Sequence, residues 1–412
     1  MTEKGKNTPT VRFKGFCDDW EQRKLGEIAE IIGGGTPSTN NPSYWDGDID
    51  WYAPAEIGER IFANGSIRKI TKEGLNHCSA KILPAYKTVL FTSRAGIGKM
   101  AILQHPATTN QGFQSLVCHN DIAPYFVFSM GKNIKAGAER VAAGSTFAEI
   151  SGKTLSNLEF MFPNTAEQQA IGACFKNIDM LITLHQRQLD EQKALKKYFL
   201  QNMFPAKGEK VPRIRFQGFT GDWEQRKLGD VADSFEYGLN AAAKEFDGVN
   251  KYIRITDIDD STHEFLPIDL TSPDTVIEQA DNYKLDEGDI LFARTGASVG
   301  KTYIYKQSDG LVYYAGFLIR ARINKKYDPE FIFQNTLTPD YDKYIRITSQ
   351  RSGQPGVNAQ EYADYELMIP RIDEQKRIGE FLRNLDDLIT LHQRQLTQLQ
   401  AIKKFMLQNL FI

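Results

Sequence analysis

The sequence has few residues that could form a covalent or metal-based framework. Its four cysteines, Cys17, Cys78, Cys118 and Cys174, are scattered, and none forms a C-x-x-C pair. Neither a disulfide framework nor a zinc site is therefore expected, and a reducing cytoplasm suits this cysteine usage. No apolar run approaches the roughly eighteen residues of a membrane span, and the polar start MTEKGKNTPT lacks the apolar stretch of a signal peptide. We expect a cytoplasmic protein.

An excess of positive charge is also missing. The formal net charge is −2 and the isoelectric point about 6.4, whereas phosphate-binding domains are usually basic. DNA binding would therefore need basic residues clustered on one face, or partner subunits that supply the backbone affinity. Hydrophobic residues at 41% and charged residues at 25% are typical of a globular protein, and 412 residues suffice for about two to four domains.

What the sequence does contain is a long internal repeat. The heptapeptide WEQRKLG occurs at Trp20–Gly26 and again at Trp223–Gly229, and LITLHQRQL occurs at Leu181–Leu189 and at Leu388–Leu396. The second block extends without a gap, Phe160–Phe204 aligning with Leu367–Phe411. A period this long indicates two whole modules, each with a constant opening, a variable middle and a constant exit, and excludes a solenoid.

The constant exits have the pattern of long helices. A heptad frame places Ile171, Phe175, Ile178, Ile182, His185, Leu189, Gln192, Lys196, Phe199 and Met203 on one seam, and the second copy places Ile378, Leu382, Leu385, Ile389, His392, Leu396, Leu399, Lys403, Met406 and Leu410 there. This spacing predicts a coiled coil. Thr165 with Gln168 has the spacing of a capping box, and Asp373 is a good N-cap for the second helix.

Two histidines occupy the same seam position, and the chain order suggests how the helices pair. His185 and His392 are interpreted as polar residues that fix coiled-coil register, because no cysteine, carboxylate partner or H-E-x-x-H pattern accompanies them. Equal helices with short linkers are joined most easily if they run antiparallel. The WEQRKLG segments are then expected where each module meets the helix ends.

The variable middles contain short strands and glycine-rich turns but no enzyme motif. VLFTSRAGIGK at Val89–Lys99 and ILFARTGASVGK at Ile290–Lys301 each have an apolar strand followed by a basic turn. The second is one residue short of the G-x-x-x-x-G-K-[ST] phosphate-binding loop, so a turn that needs glycine is the preferred interpretation. NPSY at Asn41–Tyr44 only approaches the N-P-P-Y motif of amino-methyltransferases.

The order of these segments resembles the DNA-specificity subunits of type I restriction-modification systems. The openings that begin at Arg12 and Arg215, the segment Gly33–Trp51, the stretch Leu285–Gly296, NQGF at Asn110–Phe113, and the helix openings Pro163–Ile171 and Pro370–Ile378 are all similar to family stretches. The resemblance covers nearly the whole chain. The first module departs from it at Lys87–Thr88, where the second has Gly288–Asp289.

The resemblance implies an α+β fold: two mixed α/β target-recognition domains joined by two long antiparallel coiled-coil helices, with a pseudo-twofold internal repeat. The expected boundaries are 1–159 and 214–366 for the recognition domains, 160–204 and 367–412 for the helices, and 205–213 for the linker. It implies a non-catalytic subunit that recognises a bipartite double-stranded DNA target. Two modification subunits are expected to supply adenine methylation with S-adenosylmethionine. Restriction subunits are expected to supply ATP- and Mg-dependent translocation and cleavage. No cofactor is expected on this chain.

Polar or bulky residues in glycine-rich loops are the candidates for contact with base edges. They are Thr36, Ser38, Trp51, Ser93, Arg94, Gln111 and Gln114 in the first module, and Asn240, Arg294, Thr295, Gln350, Arg351, Gln354 and Asn358 in the second. Lys99 and Lys301 follow glycines in equivalent turns and are predicted to contact phosphates. The alternative from a different class is a protein-interaction scaffold that binds no specific DNA.

Overall fold

The computed structural model describes residues 7–58, 60–94, 96–142, 149–351 and 353–412. The first six residues, part of the segment in which the sequence predicts no signal peptide, lie outside this range. The chain divides into two compact units. Unit 1 is the chain up to Leu184 together with Leu396–Ile412, and unit 2 is His185–Gln395. Each unit thus contains one sequence module and one part of each long helix.

Unit 1 is built on a five-stranded sheet of order β2-β9-β6-β7-β4 and a three-stranded sheet of order β5-β3-β8. Its strands are β1 Glu21–Lys24, β2 Ala29–Gly33, β3 Trp45–Tyr52, β4 Phe62–Ala63, β5 Arg68–Ile70, β6 Thr88–Phe91, β7 Met100–Leu103, β8 Thr108–Thr109, β9 Gln114–Cys118 and β10 Glu159–Phe162. Its helices are α1 Leu25–Ile28, α2 Lys72–Asn76, α3 Pro124–Ser129, α4 Gly131–Ala142, α5 Gly152–Ser156 and the start of α6 Thr165–Asn202.

Unit 2 is built on a four-stranded sheet of order β12-β19-β16-β17. Its strands are β11 Glu224–Lys227, β12 Ala232–Tyr237, β13 Ala243–Glu245, β14 Lys251–Ile253, β15 Thr271–Pro273, β16 Ile290–Ala293, β17 Thr302–Ile304, β18 Val312–Tyr314, β19 Leu318–Ile323 and β20 Glu366–Ile369. Its helices are the end of α6, α7 Leu228–Val231, α8 Pro329–Asn335, α9 Pro339–Thr348, α10 Ala359–Ala363 and most of α11 Ile372–Asn409.

The two units repeat the same topology, which confirms the repeat found in the sequence. Strands β2-β9-β6-β7 of unit 1 correspond in order to β12-β19-β16-β17 of unit 2. In both units the constant EQRK segment is a strand that pairs antiparallel with the strand before the long helix, β1 with β10 and β11 with β20. A parallel pair accompanies the main sheet in each unit, β3 with β8 and β14 with β18.

The constant openings join each module to a helix end, as the sequence predicts. Trp20 is buried and packs edge-to-face on Phe411, directly after α11, and Trp223 is buried and packs on Phe204, directly after α6. The preceding arginine of each opening pairs with the first turn of a long helix: Arg12 Nε lies 2.7 Å from Glu167, and Arg215 Nε lies 2.7 Å from Glu374. Duplicated core contacts and duplicated ion pairs therefore fix each opening.

Both long helices bury the predicted seam. Every seam residue is buried or half-buried, and in unit 2 the helices are antiparallel because His185, Lys196 and Phe199 contact His392, Asp386 and Phe381 in that order. The predicted helix starts need correction. Asn164 caps α6 by accepting the Glu167 N–H at 3.0 Å, so Thr165–Gln168 is not a capping box.

The start of the second long helix and the predicted boundaries of both helix segments also differ from the structure. Helix α11 begins at Ile372, which places Asp373 inside the first turn and not at the N-cap. Residues 160–162 and 367–369 end strands β10 and β20. Pro163 and Pro370 follow these strands directly, and a proline cannot donate to a further strand pair. The helices therefore occupy most, but not all, of the segments 160–204 and 367–412.

A buried polar junction ties each module to its helix pair. In unit 1, Asp179 accepts from the Tyr125 hydroxyl at 2.6 Å and pairs with Lys403 at 2.5 Å. In unit 2, Asp386 accepts from the Gln334 amide at 2.7 Å and pairs with Lys196. Glu330 occupies the place of Tyr125, and burial raises the pKa of its carboxyl to about 7.

Candidate nucleic-acid interface

Three loops meet at one end of the main sheet in unit 1. They follow β2 (residues 34–36), join β6 to β7 (92–99) and join β8 to β9 (110–113). Backbone hydrogen bonds hold them together: Gly35 N–H donates to Thr109 O at 2.9 Å, Ser93 N–H to Gly112 O at 2.8 Å, and Ile150 N–H to Ser93 O at 3.0 Å. The loops are thus positioned by the sheet, which suits a surface with variable side chains.

This arrangement brings several predicted residues of unit 1 together. The Thr36 hydroxyl donates to the Gln111 side-chain oxygen, and Gln114 is the first residue of β9, on the same side of the loops. Arg94 is half-buried and Lys99 exposed, and neither forms an ion pair with any residue of the described ranges. Amide and cationic groups of this kind can bond base edges or phosphates.

Two predicted residues of unit 1 are poorly placed for base contact, and a third contributes its backbone to the fold. Trp51 is only 6% exposed, and its indole N–H already donates to Gly35 O at 2.8 Å, so it belongs to the core and the prediction is corrected. Ser93 is fully buried beneath the loops. Ser38 is exposed, but its carbonyl serves the fold by accepting the Trp45 indole N–H at 3.1 Å.

Unit 2 assembles the same loops with the same hydrogen bonds. Leu239 N–H donates to Tyr314 O at 2.9 Å, Arg294 N–H to Phe317 O at 3.1 Å, and Val357 N–H to Arg294 O at 2.9 Å. Thr295 forms an isolated bridge with Gly356, and the Gln354 amide nitrogen lies 3.3 Å from where a Cβ on Gly296 would stand. Arg294, Thr295 and Gln354 therefore share one surface, and Asn240 lies beside it, with its Cα 3.6 Å from where a Cβ on Gly316 would stand.

Three of the remaining candidates of unit 2, Asn358, Arg351 and Lys301, already have structural bonds. Asn358 caps α10 by accepting the Glu361 N–H at 2.9 Å, and Arg351 pairs with Glu361 at 2.5 Å. Gln350 is exposed next to them. The Lys301 ammonium pairs with Asp260 and donates to Ile258 O at 2.9 Å, so a phosphate contact would require these bonds to break. Lys99, its counterpart, has no such partner in the part of the chain described.

Sequence reasoning missed two exposed aromatic residues on the unit 2 surface. Tyr237 is 45% exposed at the end of β12, and Phe317 is 63% exposed in the bend before β19. The Arg294 guanidinium carbon lies 5.0 Å from the Tyr237 ring centroid, a cation–π contact. The available signal was the AGF sequence at 315–317, which shares the letters GF with QGF at 111–113. The hydrogen bonds instead align Phe317 with Gly112, a shift of one position.

A positively charged cleft lies beside the same turn of unit 2. It has a volume of about 800 Å³ and is lined by Ala297–Lys301 together with Lys193 and Lys197 of α6 and Arg346 of α9, among others. These last three side chains form no ion pair within 4.0 Å among the residues described. The complete lining has five basic side chains and three aspartates, 5 − 3 = 2, so the cleft has an excess of two positive charges although the whole chain has a net charge of −2.

The geometry does not support nucleotide hydrolysis or a metal centre in the described residues. The turn 294–301 joins two antiparallel strands, β16 and β17, whereas a phosphate-binding loop of the P-loop type leads from a strand into a helix. In the ranges that the structure covers, no group of three or more His, Cys, Asp or Glu side chains could hold a metal ion. Among the described helices, none is both long and apolar enough to span a membrane.

Known proteins resemble this chain in family, in sequence and in structure. The profile of the type I restriction modification DNA specificity domain matches residues 17–193 and again 220–401. The MjaIX specificity subunit of Methanocaldococcus jannaschii is 31% identical over 304 residues, which cover 68% of this chain and 67% of that protein. The EcoR124I/EcoR124II specificity subunit of Escherichia coli is 32% identical over 39% of this chain and 41% of its own length.

A solved structure shares the fold across the full length. The crystal structure of the type I restriction-modification S subunit from M. genitalium superposes with a TM-score of 0.62 and covers 98% of this chain and 99% of that one. The two sequences are 15% identical. The fold is therefore the same, with two repeated modules and two long helices.

Proposed function

Because the chain belongs to the type I restriction-modification DNA specificity family, a family of non-catalytic DNA-recognition subunits, we propose that unit 1 and unit 2 each recognise one half of a bipartite DNA target. The observation that carries this proposal is the contrast within the repeat. The strands and loop hydrogen bonds are duplicated, while the side chains on the loops differ. Two such readers joined by fixed helices impose a fixed spacing on the half-sites.

A module exchange tests this proposal directly. Replacing Asp230–Glu366 with the second module of another family member should change one half-site and leave the other unchanged, because each set of loops is held by its own sheet. Sequencing that detects methylated adenines in cells carrying either protein provides the measurement. A change in both half-sites would contradict the modular assignment.

The catalytic activities reside in partner subunits. We assign adenine methylation to modification subunits that use S-adenosylmethionine, and translocation and cleavage to restriction subunits that use ATP and Mg²⁺, with the complex acting on DNA in the cytoplasm. A gel shift with the modification subunit and random-sequence competitor DNA separates this proposal from a scaffold that binds no specific DNA. A scaffold would form complexes that any competitor sequence displaces equally.

The outer faces of the long helices support docking of two copies of a modification subunit. Apolar residues with exposed fractions from 40% for Leu195 to 55% for Phe405 recur at equivalent positions of α6 and α11. They are Leu181, Leu184, Leu195 and Tyr198 in α6 and Leu388, Leu391, Ile402 and Phe405 in α11. In each helix these residues form two pairs three residues apart, separated by eleven residues, and the pairs make a second, interrupted apolar stripe beside the buried seam, which suits a partner helix.

Charged substitutions on this stripe provide the test. The pair Leu184→Asp and Leu391→Asp should abolish co-purification of the modification subunit, because a charge opposes burial of the stripe. Gln400→Asp, also exposed on α11 but outside the stripe, is the matched control and should leave co-purification intact. If the stripe variants keep the modification subunit, the docking surface lies elsewhere.

We also propose that the two long helices set the length of the gap between half-sites. Each spans 38 residues, or about 57 Å at 1.5 Å per residue. Inserting four residues between Leu195 and Phe199 adds about 6 Å and close to one turn, equivalent to about two base-pair steps. Methylation mapping should show the same half-sites with a longer gap. Four residues inserted in the linker at 205–212 are the control and should leave the gap unchanged.

A further inference from the structure

Three side chains on the unit 2 loops are not needed to build the loops. Arg294, Phe317 and Tyr237 are held by the same backbone arrangement that unit 1 builds with Ser93, Gly112 and Gly33. The register supports the match, since Gly33 pairs with Gln114 and Tyr237 with Ile319 at corresponding ends of the sheets. A fold that forms with two glycines and a serine at these places does not require the larger side chains. Arg294 and Phe317 are therefore available for another purpose, whereas the Tyr237 hydroxyl also accepts the Ala359 N–H at 3.3 Å.

Arg294 differs from the arginines that stabilise the same sheet. Arg320 pairs with Glu236, and Arg322 lies 2.7 Å from Asp286. Arg294 has no carboxylate partner in the described part of the chain, and its guanidinium is held over the Tyr237 ring. Stacking of this kind restrains the side chain without using its N–H donors. The planar fork remains free and partly oriented, which lowers the entropy lost when it bonds a ligand.

Phe317 extends the same surface with an apolar group. It is 63% exposed, and its carbonyl accepts the Arg294 N–H at 3.1 Å, so the two residues are neighbours across the loops. A single exposed phenylalanine is unremarkable on its own. Phe317 lies next to an unpaired arginine on the loops of a DNA-specificity domain, so the two side chains can contact neighbouring bases together. In the major groove an arginine fork bonds O6 and N7 of guanine, and an apolar side chain contacts the C5-methyl group of thymine.

We propose that Arg294, held by Tyr237, recognises a guanine and that Phe317 contacts the C5-methyl group of a neighbouring thymine in the half-site of unit 2. This inference rests on the proposed function, since it assigns chemistry to one of the two readers. Unit 1 lacks all three side chains at the equivalent positions, so its half-site is recognised by other contacts, for which Gln111 and Gln114 are available.

The experiment uses the full chain in complex with its modification subunits. Methylation rates are measured on DNA in which each base pair of the target is varied in turn. Arg294→Gln should lower discrimination at one guanine of the unit 2 half-site by about tenfold or more, with the unit 1 half-site unchanged. Arg294→Lys, which keeps the charge but not the fork, should behave similarly and provides the same test if the glutamine variant fails to fold.

The thymine contact is tested by removing only the methyl group from the DNA. Replacing the thymine beside that guanine with uracil should slow methylation by the wild-type complex several-fold and leave Phe317→Ala nearly unaffected, since the contact is already absent. Ile268→Ala, which shortens another exposed apolar side chain of unit 2, is the matched control and should respond to uracil as the wild type does.

Several outcomes would overturn the inference while leaving the proposed function intact. They are a unit 2 half-site without guanine, an equal loss of rate on all sequences for Arg294→Gln, and an unchanged response of Phe317→Ala to uracil. A wild-type complex that methylates without sequence preference would instead refute the proposed function, and the inference with it.

Discussion

Unit 1 and unit 2 place corresponding loops on corresponding strands and equip them with different side chains. At three equivalent positions unit 1 has Gly33, Ser93 and Gly112, whereas unit 2 has Tyr237, Arg294 and Phe317. The main-chain hydrogen bonds at these loops differ in length by only a few tenths of an ångström. The comparison shows that the sheet and its backbone bonds determine loop position. Side-chain identity on the loops is left free to follow the target.

The junctions between module and helices show a similar division. The helix carboxylates Asp179 and Asp386, which lie beside the seam, and their lysines Lys403 and Lys196 are duplicated. The module side supplies Tyr125 in unit 1 and Glu330 with Gln334 in unit 2. The repeated residues belong to the helices and the divergent ones to the modules. A new module can therefore be accommodated if it offers any hydrogen-bond donor to the same carboxylate.

The largest effect should come from removing one of these helix carboxylates. Asp386→Ala leaves the Lys196 ammonium buried without a partner and should destabilise unit 2 by about 3 kcal/mol. Asp179→Ala should have the same effect on unit 1 through Lys403. Hydrogen exchange followed by mass spectrometry reports on peptides from each unit separately. Equal loss of protection in both units from one substitution would show that the junctions are not independent.

A smaller effect is that the stability of unit 2 should depend on pH through Glu330, whereas unit 1 has no such carboxyl at the equivalent place. Burial raises the pKa of Glu330 to about 7 from an ordinary value of 4.5, with Asp386 acting in the same direction and Lys306 and Arg383 opposing it. Below about pH 4.5 the carboxyl is protonated in the folded and unfolded chain alike. Between pH 4.5 and 7 only the unfolded chain releases the proton, so stability contributed by this group falls as pH rises through the folded pKa.

The expected size of this loss is about 2 kcal/mol, reduced for the partial exposure of the side chain. Glu330→Gln should remove the contribution of this carboxyl to the pH dependence of unit 2 and stabilise the unit above pH 7. Urea denaturation at pH 5 and pH 8, followed through Trp223, is the measurement. Tyr125 stands at the equivalent place in unit 1, and because burial raises its pKa above 10 it should contribute no change over this range. A variant with the wild-type pH response would contradict the assignment.

The histidine pair should have a weaker effect. His185 Nδ1 lies 3.2 Å from His392 Nδ1, where the predicted register residues meet. Replacing both with leucine should stabilise the helix pair by about 1 kcal/mol through added apolar burial but reduce the preference for one register. Thermal melting measures the first effect and cross-linking of cysteine pairs placed in shifted registers the second. A destabilised variant with unchanged register would show that the histidines do not serve this purpose.

The smallest effect compares two lysines that the sequence treats as equivalent. Lys99 is exposed without an ion pair among the residues described, and Lys301 is engaged by Asp260 and Ile258. Lys99→Ala should weaken binding to all DNA sequences alike and flatten its salt dependence by about one unit of slope. Lys301→Ala should change the slope less. The reverse order, measured by titration at several salt concentrations, would mean that Lys301 leaves Asp260 when DNA binds.

The architecture could be predicted from the sequence because the repeated residues form the same contacts in both units. The repeated WEQRKLG segments predicted the meeting of module and helix end, and Trp20 and Trp223 do occupy those places. The heptad pattern predicted the seam, since burial on a helix follows spacing along the chain. Only some of the residues predicted for the candidate site lie on the loop surface. Arg294, Thr295 and Gln354 share a surface, but Trp51 belongs to the core and Asn358 to a helix cap.

The chain alone therefore determined the two modules, the two helices and their seam, because these depend on local periodicity and on exact repetition of segments. Tertiary structure alone decided which loop residues are free. Pairing of Lys301 with Asp260, burial of Trp51 and stacking of Arg294 on Tyr237 all join positions far apart in the sequence. The one-position shift that leaves Phe317 exposed and Phe113 buried likewise depends on strand register. The register of a strand is set by the whole sheet and not by the three residues QGF at 111–113 or AGF at 315–317.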